Sequence, residues 1–452
     1  MDPAVVTSPP SVYDVVQTSS LGVNHHGLRQ LAQSIVENVN VYLQALEKSG
    51  ISPPTFRPDS SSGVCKEETG QEAQRALVAA SERLIALISG PPGLYEITRQ
   101  YLENSALTVA VELDIASAIP LDGERHADEI AVIVGAEGSV IVRIMRPLTA
   151  IFIFEEVAPS TYRHTYRSAS MRDENHRALL LFGGLEGAKA AAWMPDALKA
   201  KTYHSPTEPH ESAFSLVYTP ENSRMGFFDY IYGGHDDFMG ERFTKAMAAT
   251  ASFSYEAGSF ADIFPFDTLS KSNKPATIVD VGGGEGHIMV NVARRYPEAN
   301  LKFVVQDLQF NVTMGERKLA VELQPRFIWM PHDFFDGTQP VKHADAYFLR
   351  HILHDWPDRH CQQILSPIVE AMDPGVSRLL ISDMVVPEMS TSKLIAHRDL
   401  LMMAHTTGME RTEAQFVALF RSVDTRLQIM KIHRLPTSGP AGFRIIEAML
   451  LT

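Results

Sequence analysis

Ile278-Val-Asp-Val-Gly-Gly-Gly-Glu-Gly-His287 is the stretch that decides the fold. Ile278, Val279 and Val281 are β-branched and read as a buried parallel strand, with Asp280 interrupting the apolar run near its end. Four glycines, Gly282, Gly283, Gly284 and Gly286, then permit a sharp turn and leave no side chain above the backbone. From His287 to Tyr296 apolar residues recur at helical spacing: Ile288, Val292 and Tyr296, with Met289 beside them. Strand, glycine-rich turn and helix present backbone N–H groups to a ligand at the edge of an α/β sheet.

Downstream the alternation continues. Strands are expected at 277–281, 301–306, 326–331, 344–349, 378–384, 427–433 and 442–449, with helices between the first several. Only the loop Leu435 to Gly442 separates the last two, too short for a crossover helix, so at least one strand is antiparallel. The fold class is α/β: a Rossmann-like, mostly parallel sheet with one antiparallel strand.

Upstream the pattern is helical. Residues 1–24 are polar and expected to be loosely ordered. Leu28, Leu31, Ile35, Val39, Leu43 and Leu46 mark an amphipathic helix over 26–48 that needs a partner. A linker follows over 51–70, then a helix near 71–89. Helices are expected at 127–134 and 138–151. A β-wing is expected from Ile151-Phe-Ile-Phe154, a turn through Ala158-Pro159-Ser160, and a return from Tyr162 to Tyr166. This is a winged-helix pattern. Residues 171–230 read as mainly helical, and Phe238 to Phe253 as a helix with Phe243 and Met247 one turn apart. The division expected is an N-terminal extension over 1–70, a helical domain over 71–235 and a catalytic domain over 236–452.

A winged helix that reads DNA needs a basic recognition helix. Ser139 to Ala150 offers only Arg143 and Arg146, in a chain of net charge −14. That charge argues against nucleic acid and an anionic membrane as partners. With 452 residues, 45% of them hydrophobic, two or three domains with sizeable cores are expected. Two distant cysteines, Cys65 and Cys361, make neither a disulfide framework nor a zinc site. No secretory signal or membrane span is read, and the expected location is a reducing, cytoplasmic one.

A dinucleotide fingerprint would place Gly or Ala where this chain has Met289, and Glu285 sets a carboxylate beside the turn. Both turn the reading from a pyrophosphate toward a nucleoside ligand with a positive centre. Asp307 closes the second strand, where an acid accepts hydrogen bonds from ribose hydroxyls. Asp333 and Phe334 follow the third strand, where an acid and an aromatic ring can meet an adenine. Asp333 reads equally as a turn cap.

After the fourth strand comes His351-Ile-Leu-His354-Asp355-Trp356-Pro-Asp-Arg-His360-Cys361. His354 falls just past the carboxyl edge of the sheet, where open α/β sheets bind ligands. Asp383 ends the fifth strand at the same edge, and Glu410 precedes a helix beginning near Thr412. A histidine with carboxylates to orient it and to stabilise its imidazolium is what deprotonating a phenol requires. His360 reads as structural, two turns or so into a helix, and His351 as pointing to the opposite face.

Taken in order, Asp-Val-Gly-Gly-Gly-Glu-Gly, Gln-Asp-Leu, His-Asp-Phe-Phe, His354-Asp-Trp-Pro-Asp-Arg-His-Cys and Met-Glu-Arg-Thr resemble the plant caffeic-acid-type O-methyltransferases and their fungal relatives. The resemblance covers roughly 95–452 and is strongest from 277 to 420. It implies S-adenosylmethionine as methyl donor and His354 as general base, flanked by Asp383 and Glu410. It assigns cofactor contacts to Gly282, Gly283, Gly284, Gly286, Asp307, Asp333, Phe334 and Arg350. Substrate contacts fall on Phe243, Met247 and Met402. It also implies a homodimer, a small hydroxylated and often aromatic substrate, and no metal. Two departures stand out: Asp383 and Arg350 replace the plant Glu and Lys. The chain's N-terminal 90 residues look more fungal than plant.

Three other readings stay open at this level. Fungal relatives of the same fold catalyse dehydration or pericyclic rearrangement without methyl transfer. A winged-helix regulator would sense the cofactor and bind DNA. A nicotinamide oxidoreductase would share the turn.

Overall fold

The computed structural model describes residues 27–61, 65, 67–220, 223–255, 260–270, 274–389, 392–434 and 444–452, with backbone alone over 251–255. The stretch 1–24 and the loop 435–442, both read from sequence, lie outside these residues. The chain divides into two compact units between Arg172 and Asp173.

In the first unit, α1 (Gly27–Lys48) packs on α2 (Glu68–Ser89). Tyr42, Ala45, Leu46, Cys65 and Ala73 form the seam. A Cβ on Gly70 would lie 2.6 Å from Ala45 Cβ and 2.5 Å from Cys65 Sγ, so this crossing needs a residue without one. The amphipathic helix therefore finds its partner within its own chain. Leu28, Val36, Val41, Val78, Ile85 and Ile88 on the same hairpin remain exposed.

Next come α3 (Gln100–Glu112), β1 (Glu124–His126), α4 (Ala127–Val134), α5 (Gly138–Ala150), β2 (Phe154–Ala158) and β3 (Thr161–His164). The strands form an antiparallel sheet in the order β1-β3-β2. Both helices stand where the periodicity placed them. The first wing strand does not: it begins at Phe154, because Phe152 takes a left-handed turn with φ 60° and Ile151–Ile153 are spent closing α5. β1 has three residues and no apolar alternation to announce it.

The second unit opens with helices: α6 (Glu174–Leu181), α7 (Ala188–Ala200), α8 (Ala213–Tyr218), α9 (Phe227–Tyr232) and α10 (Asp237–Tyr255). Between α6 and α7 the chain widens into a π-helical turn, Phe182–Gly187, around Gly183 and Gly184. Phe182, Phe214, Phe227 and Phe243 pack together from four of these segments.

The sheet follows, built from β4 (Ala276–Val281), β5 (Leu301–Asp307), β6 (Phe327–Pro331), β7 (Ala346–Arg350), β8 (Arg378–Ser382), β11 (Leu427–Arg434) and β12 (Arg444–Leu450). Its order is β11-β12-β8-β7-β4-β5-β6. The first five strands run parallel, and β12 lies antiparallel to both β8 and β11. α11 (His287–Arg295), α12 (Gln309–Lys318), α13 (Asp358–Ala371), α14 (Lys393–Thr406) and α15 (Glu413–Val423) complete the unit. β4, β7 and β8 are buried nearly throughout, hence their continuous apolar runs. The order turns back beside β4, which puts its carboxyl end at the point where such sheets bind ligands.

Besides that of β1 with β3, a second pairing was not read from sequence. β9 (Val385–Val386) runs parallel to β10 (Arg411–Thr412), with Val385 opposite Arg411. Two residues give no periodicity, yet this short ladder sits next to Asp383 on one strand and Glu410 on the other. Among the described residues no helix is long and apolar enough to cross a membrane.

Candidate active site

Beyond β4 the glycines have separate reasons to be glycine. Gly282, Gly284 and Gly286 adopt φ values of 70°, 57° and 73°. A Cβ on Gly282 would lie 2.5 Å from Ile352 Cδ1, and one on Gly286 would lie 2.7 Å from Trp329 Cη2. One on Gly283 would meet Asp280 Oδ2 at 2.5 Å. A Cβ on Gly284 would meet nothing within 4 Å, so this residue faces the open side of the turn. The Gly282 and Gly283 N–H groups donate to Gln306 O at 2.8 and 3.0 Å, tying the turn to β5.

Asp307, at the end of β5, reaches back: its Oδ2 accepts from the Gly284 N–H at 2.7 Å. Its Oδ1 accepts from the Leu308 N–H and from Asn311 Nδ2. Asp280 lies beneath the turn, 2% exposed, and its Oδ2 has no hydrogen-bond partner among the described residues. Burial pushes its carboxyl up to about 7; Asp307 adds to the shift and Arg350 opposes it. Phe334 packs over Gly282, its Cε1 3.5 Å from where a Cβ would be. Asp333 Oδ1 accepts from the Phe335 N–H at 2.9 Å, the turn cap that competed with the ligand role. The Arg350 guanidinium lies 5.7 Å from the Phe260 ring centre. Glu285 points away to Lys318 on α12, at 2.6 Å. Met289 is fully buried in the core against the sheet.

His354 stands on a turn after β7, 6% exposed. Its Nδ1 lies 3.0 Å from Glu410 Oε1. A carboxylate there fixes the N–H on Nδ1 and leaves Nε2 as the free lone pair of the neutral ring. Asp355 Oδ1 lies 3.7 Å from Nε2. Asp383 is 1% exposed, and its carboxylate has no side-chain hydrogen-bond partner among the described residues. Burial pulls the imidazole down, but the carboxylates outweigh it, Asp355 first, then the Glu410 hydrogen bond and Asp383, and raise His354 to about 9. Burial lifts Asp383 above the usual carboxylate range, with Glu410 adding to it. Glu410 ends below its ordinary value: burial opposes this, and the His354 hydrogen bond and charge prevail. Arg398 Nε stands 3.8 Å from Glu410 Oε1, and Asp399 Oδ1 accepts the Glu410 N–H at 2.9 Å.

Two readings of the neighbouring histidines change. His351 does not turn away: a left-handed φ of 54° brings its ring against His354, with centroids 5.1 Å apart. His360 lies in the first turn of α13, not two turns in, and stacks on Trp356 at 5.9 Å. Sequence reasoning quoted Asp355 without giving it a role; the His-Asp pair in the motif was the available signal. Arg398, Asp399 and the buried Asp280 carried no signal of their own.

The residues expected on the substrate side, Phe243, Met247 and Met402, sit on two helices. Phe243 on α10 packs 5.4 Å from Phe182 and 6.4 Å from Phe228, which in turn lies 5.5 Å from Trp356. Met247 follows one turn later and is 40% exposed. Met402 is half-buried on α14, which packs on the His354 turn.

This geometry can be set beside known proteins. A family model described as an O-methyltransferase domain matches residues 222–424. The chain is 34% identical to the O-methyltransferase xanE of Aspergillus fumigatus, over 94% of this chain and 96% of that one. Among solved structures, OxaC in complex with sinefungin and meleagrin superposes with a TM-score of 0.74 at 25% identity, covering 92% of this chain and 99% of the other. A structure described as a pericyclic reaction enzyme, 20% identical, has a TM-score of 0.75 over 93% of this chain and all of its own, which shows a shared fold. The site also fits the family's cofactor on its own chemistry. Gly284 leaves the turn open, Asp307 retains acceptor capacity beside it, and the Asp280 and Asp307 carboxyls set acids there, where a cation is favoured over a pyrophosphate. The chain belongs to the S-adenosylmethionine-dependent O-methyltransferases, in the family that plant caffeic-acid-type enzymes share with fungal enzymes of secondary metabolism.

Proposed function

We propose that this enzyme methylates a hydroxyl of a small aromatic secondary metabolite, with His354 as general base. The observation that carries the reading is the buried His354–Glu410 pair at the sheet edge, which leaves Nε2 as the proton acceptor. Gly282, Gly283, Gly284, Gly286, Asp307, Asp333, Phe334 and Arg350 would hold S-adenosylmethionine. When bound, it supplies an electrophilic methyl group. His354 takes the hydroxyl proton at Nε2, because a neutral phenol is a weak nucleophile. Glu410 holds the ring and, with Asp355 and Asp383, stabilises the imidazolium that forms. Phe243, Met247 and Met402 would line the acceptor's side, where the ring cluster around Phe182, Phe227 and Phe228 favours a flat, apolar molecule. The exposed apolar residues of α1 and α2 support a homodimer.

A base kept with its carboxylates favours methyl transfer over dehydration or rearrangement on the same fold. Incubation with methyl-labelled S-adenosylmethionine and a panel of hydroxylated aromatics tests the choice. Label is expected in the product. His354→Ala is expected to lower turnover by roughly 10²–10⁴ and to leave cofactor affinity nearly intact. A product without label, or unchanged turnover in the variant, contradicts the proposal.

A further inference from the structure

We propose that Arg411 is a positioning residue that fixes the backbone carrying His354 and Asp355 in register with Glu410. The inference rests on His354 being the base. Arg411 is 1% exposed and heads the fully buried side chains by size. Its guanidinium is wrapped by the turn that follows β7. Nη1 donates to Leu353 O at 2.7 Å and Nη2 to Trp356 O at 2.9 Å, the carbonyls on either side of the His354-Asp355 pair. Nε and Nη2 donate to Asp358 Oδ1 at 3.0 and 2.7 Å, and Nη2 approaches Cys361 Sγ at 3.4 Å.

Three further contacts make this a single clamp. Glu410, the preceding residue, binds His354 Nδ1. The Met409 N–H donates to His354 O at 2.9 Å. A Cβ on Gly408 would lie 2.0 Å from His354 O, so the two segments touch backbone to backbone. Arg411 also opens β10, whose partner β9 begins two residues after Asp383. One four-residue stretch, 408–411, thus meets the His354 turn by backbone, by carboxylate and by guanidinium, and carries the ladder that holds Asp383 alongside. A planar fork spreads its five N–H donors over three nitrogens and so serves both carbonyls and Asp358 together, a spacing that the single nitrogen of an ammonium does not match.

The test compares Arg411→Lys and Asp358→Ala with the parent. Asp358 is 60% exposed at its side chain, so its removal loosens one arm of the clamp without opening the core. Arg411→Lys keeps the charge. A displaced base costs turnover steeply, so kcat is expected to fall roughly 10–100-fold, with the acceptor KM and cofactor affinity within about threefold. The midpoint of the kcat–pH profile is expected to move down, toward that of an ordinary imidazole, as the carboxylates lose their grip. Asp358→Ala is expected to show the same signature at a few-fold loss in kcat, and it decides the matter if Arg411→Lys does not fold. A folded variant that loses thermal stability while keeping parental kcat and pH midpoint overturns the proposal. His354→Ala, run alongside, separates failures: full activity there removes the base assignment itself, whereas an inactive His354→Ala beside an unaffected Arg411→Lys removes only the clamp.

Discussion

The glycine turn and the His354 cluster share one sheet edge and are built by opposite means. The turn is made of backbone: three positive φ angles, two N–H groups donated to Gln306 O and one to Asp307, and an open side at Gly284. The cluster is made of side chains: an imidazole and three carboxylates, drawn from the turn after β7, the end of β8 and the start of β10. A backbone site tolerates side-chain change around it and fails when a Cβ appears. A buried charge site fails when a single partner is removed, because the others are left uncompensated.

That contrast can be broken at several points. Glu410→Gln should have the largest effect. It leaves shape intact but removes the charge that fixes the N–H on Nδ1, and kcat should drop roughly 10²–10⁴-fold while cofactor affinity stays within about threefold. A steady-state comparison with a cofactor titration reads both. Gly286→Ala should do the reverse. A φ of 73° and Trp329 2.7 Å away make any Cβ costly, by about 1–3 kcal/mol, read as roughly 10–100-fold weaker binding of S-adenosylhomocysteine by calorimetry, with kcat at saturating cofactor little changed. Lys318→Met should matter least. Its pair with Glu285 is a surface one, 58% and 36% exposed, and exposed pairs contribute about 0–1 kcal/mol. A large loss of cofactor affinity there would mean that Glu285 serves the site.

The same contrast explains what could be read in advance. The turn was legible because backbone conformation is written in consecutive residues, and the parallel strands because burial on both faces gives continuous apolar runs. His354, Asp383 and Glu410 were legible as a family pattern, and the structure brings them to one place. The rest depends on contacts distant in sequence. Asp355 comes within 3.7 Å of Nε2 through the turn after β7, and His351 joins its neighbour through a left-handed backbone angle. The β9–β10 ladder and the Arg411 clamp join segments 20 or more residues apart through elements too short for any periodicity. The wing strand slipped because Phe152 turns the chain where its apolar neighbours had read as strand.

On the proposed mechanism His354 must be in its neutral form to take the acceptor's proton. Its carboxylates raise it to about 9, so the productive neutral ring grows as pH rises. Single-turnover rates at saturating cofactor, measured from pH 6 to about 10 for the parent and His354→Ala, test this most directly. The parent rate should rise tenfold per pH unit and level off above a midpoint near 9, and the variant should lie far below it without that midpoint. A variant that keeps both the rate and the midpoint would contradict the account.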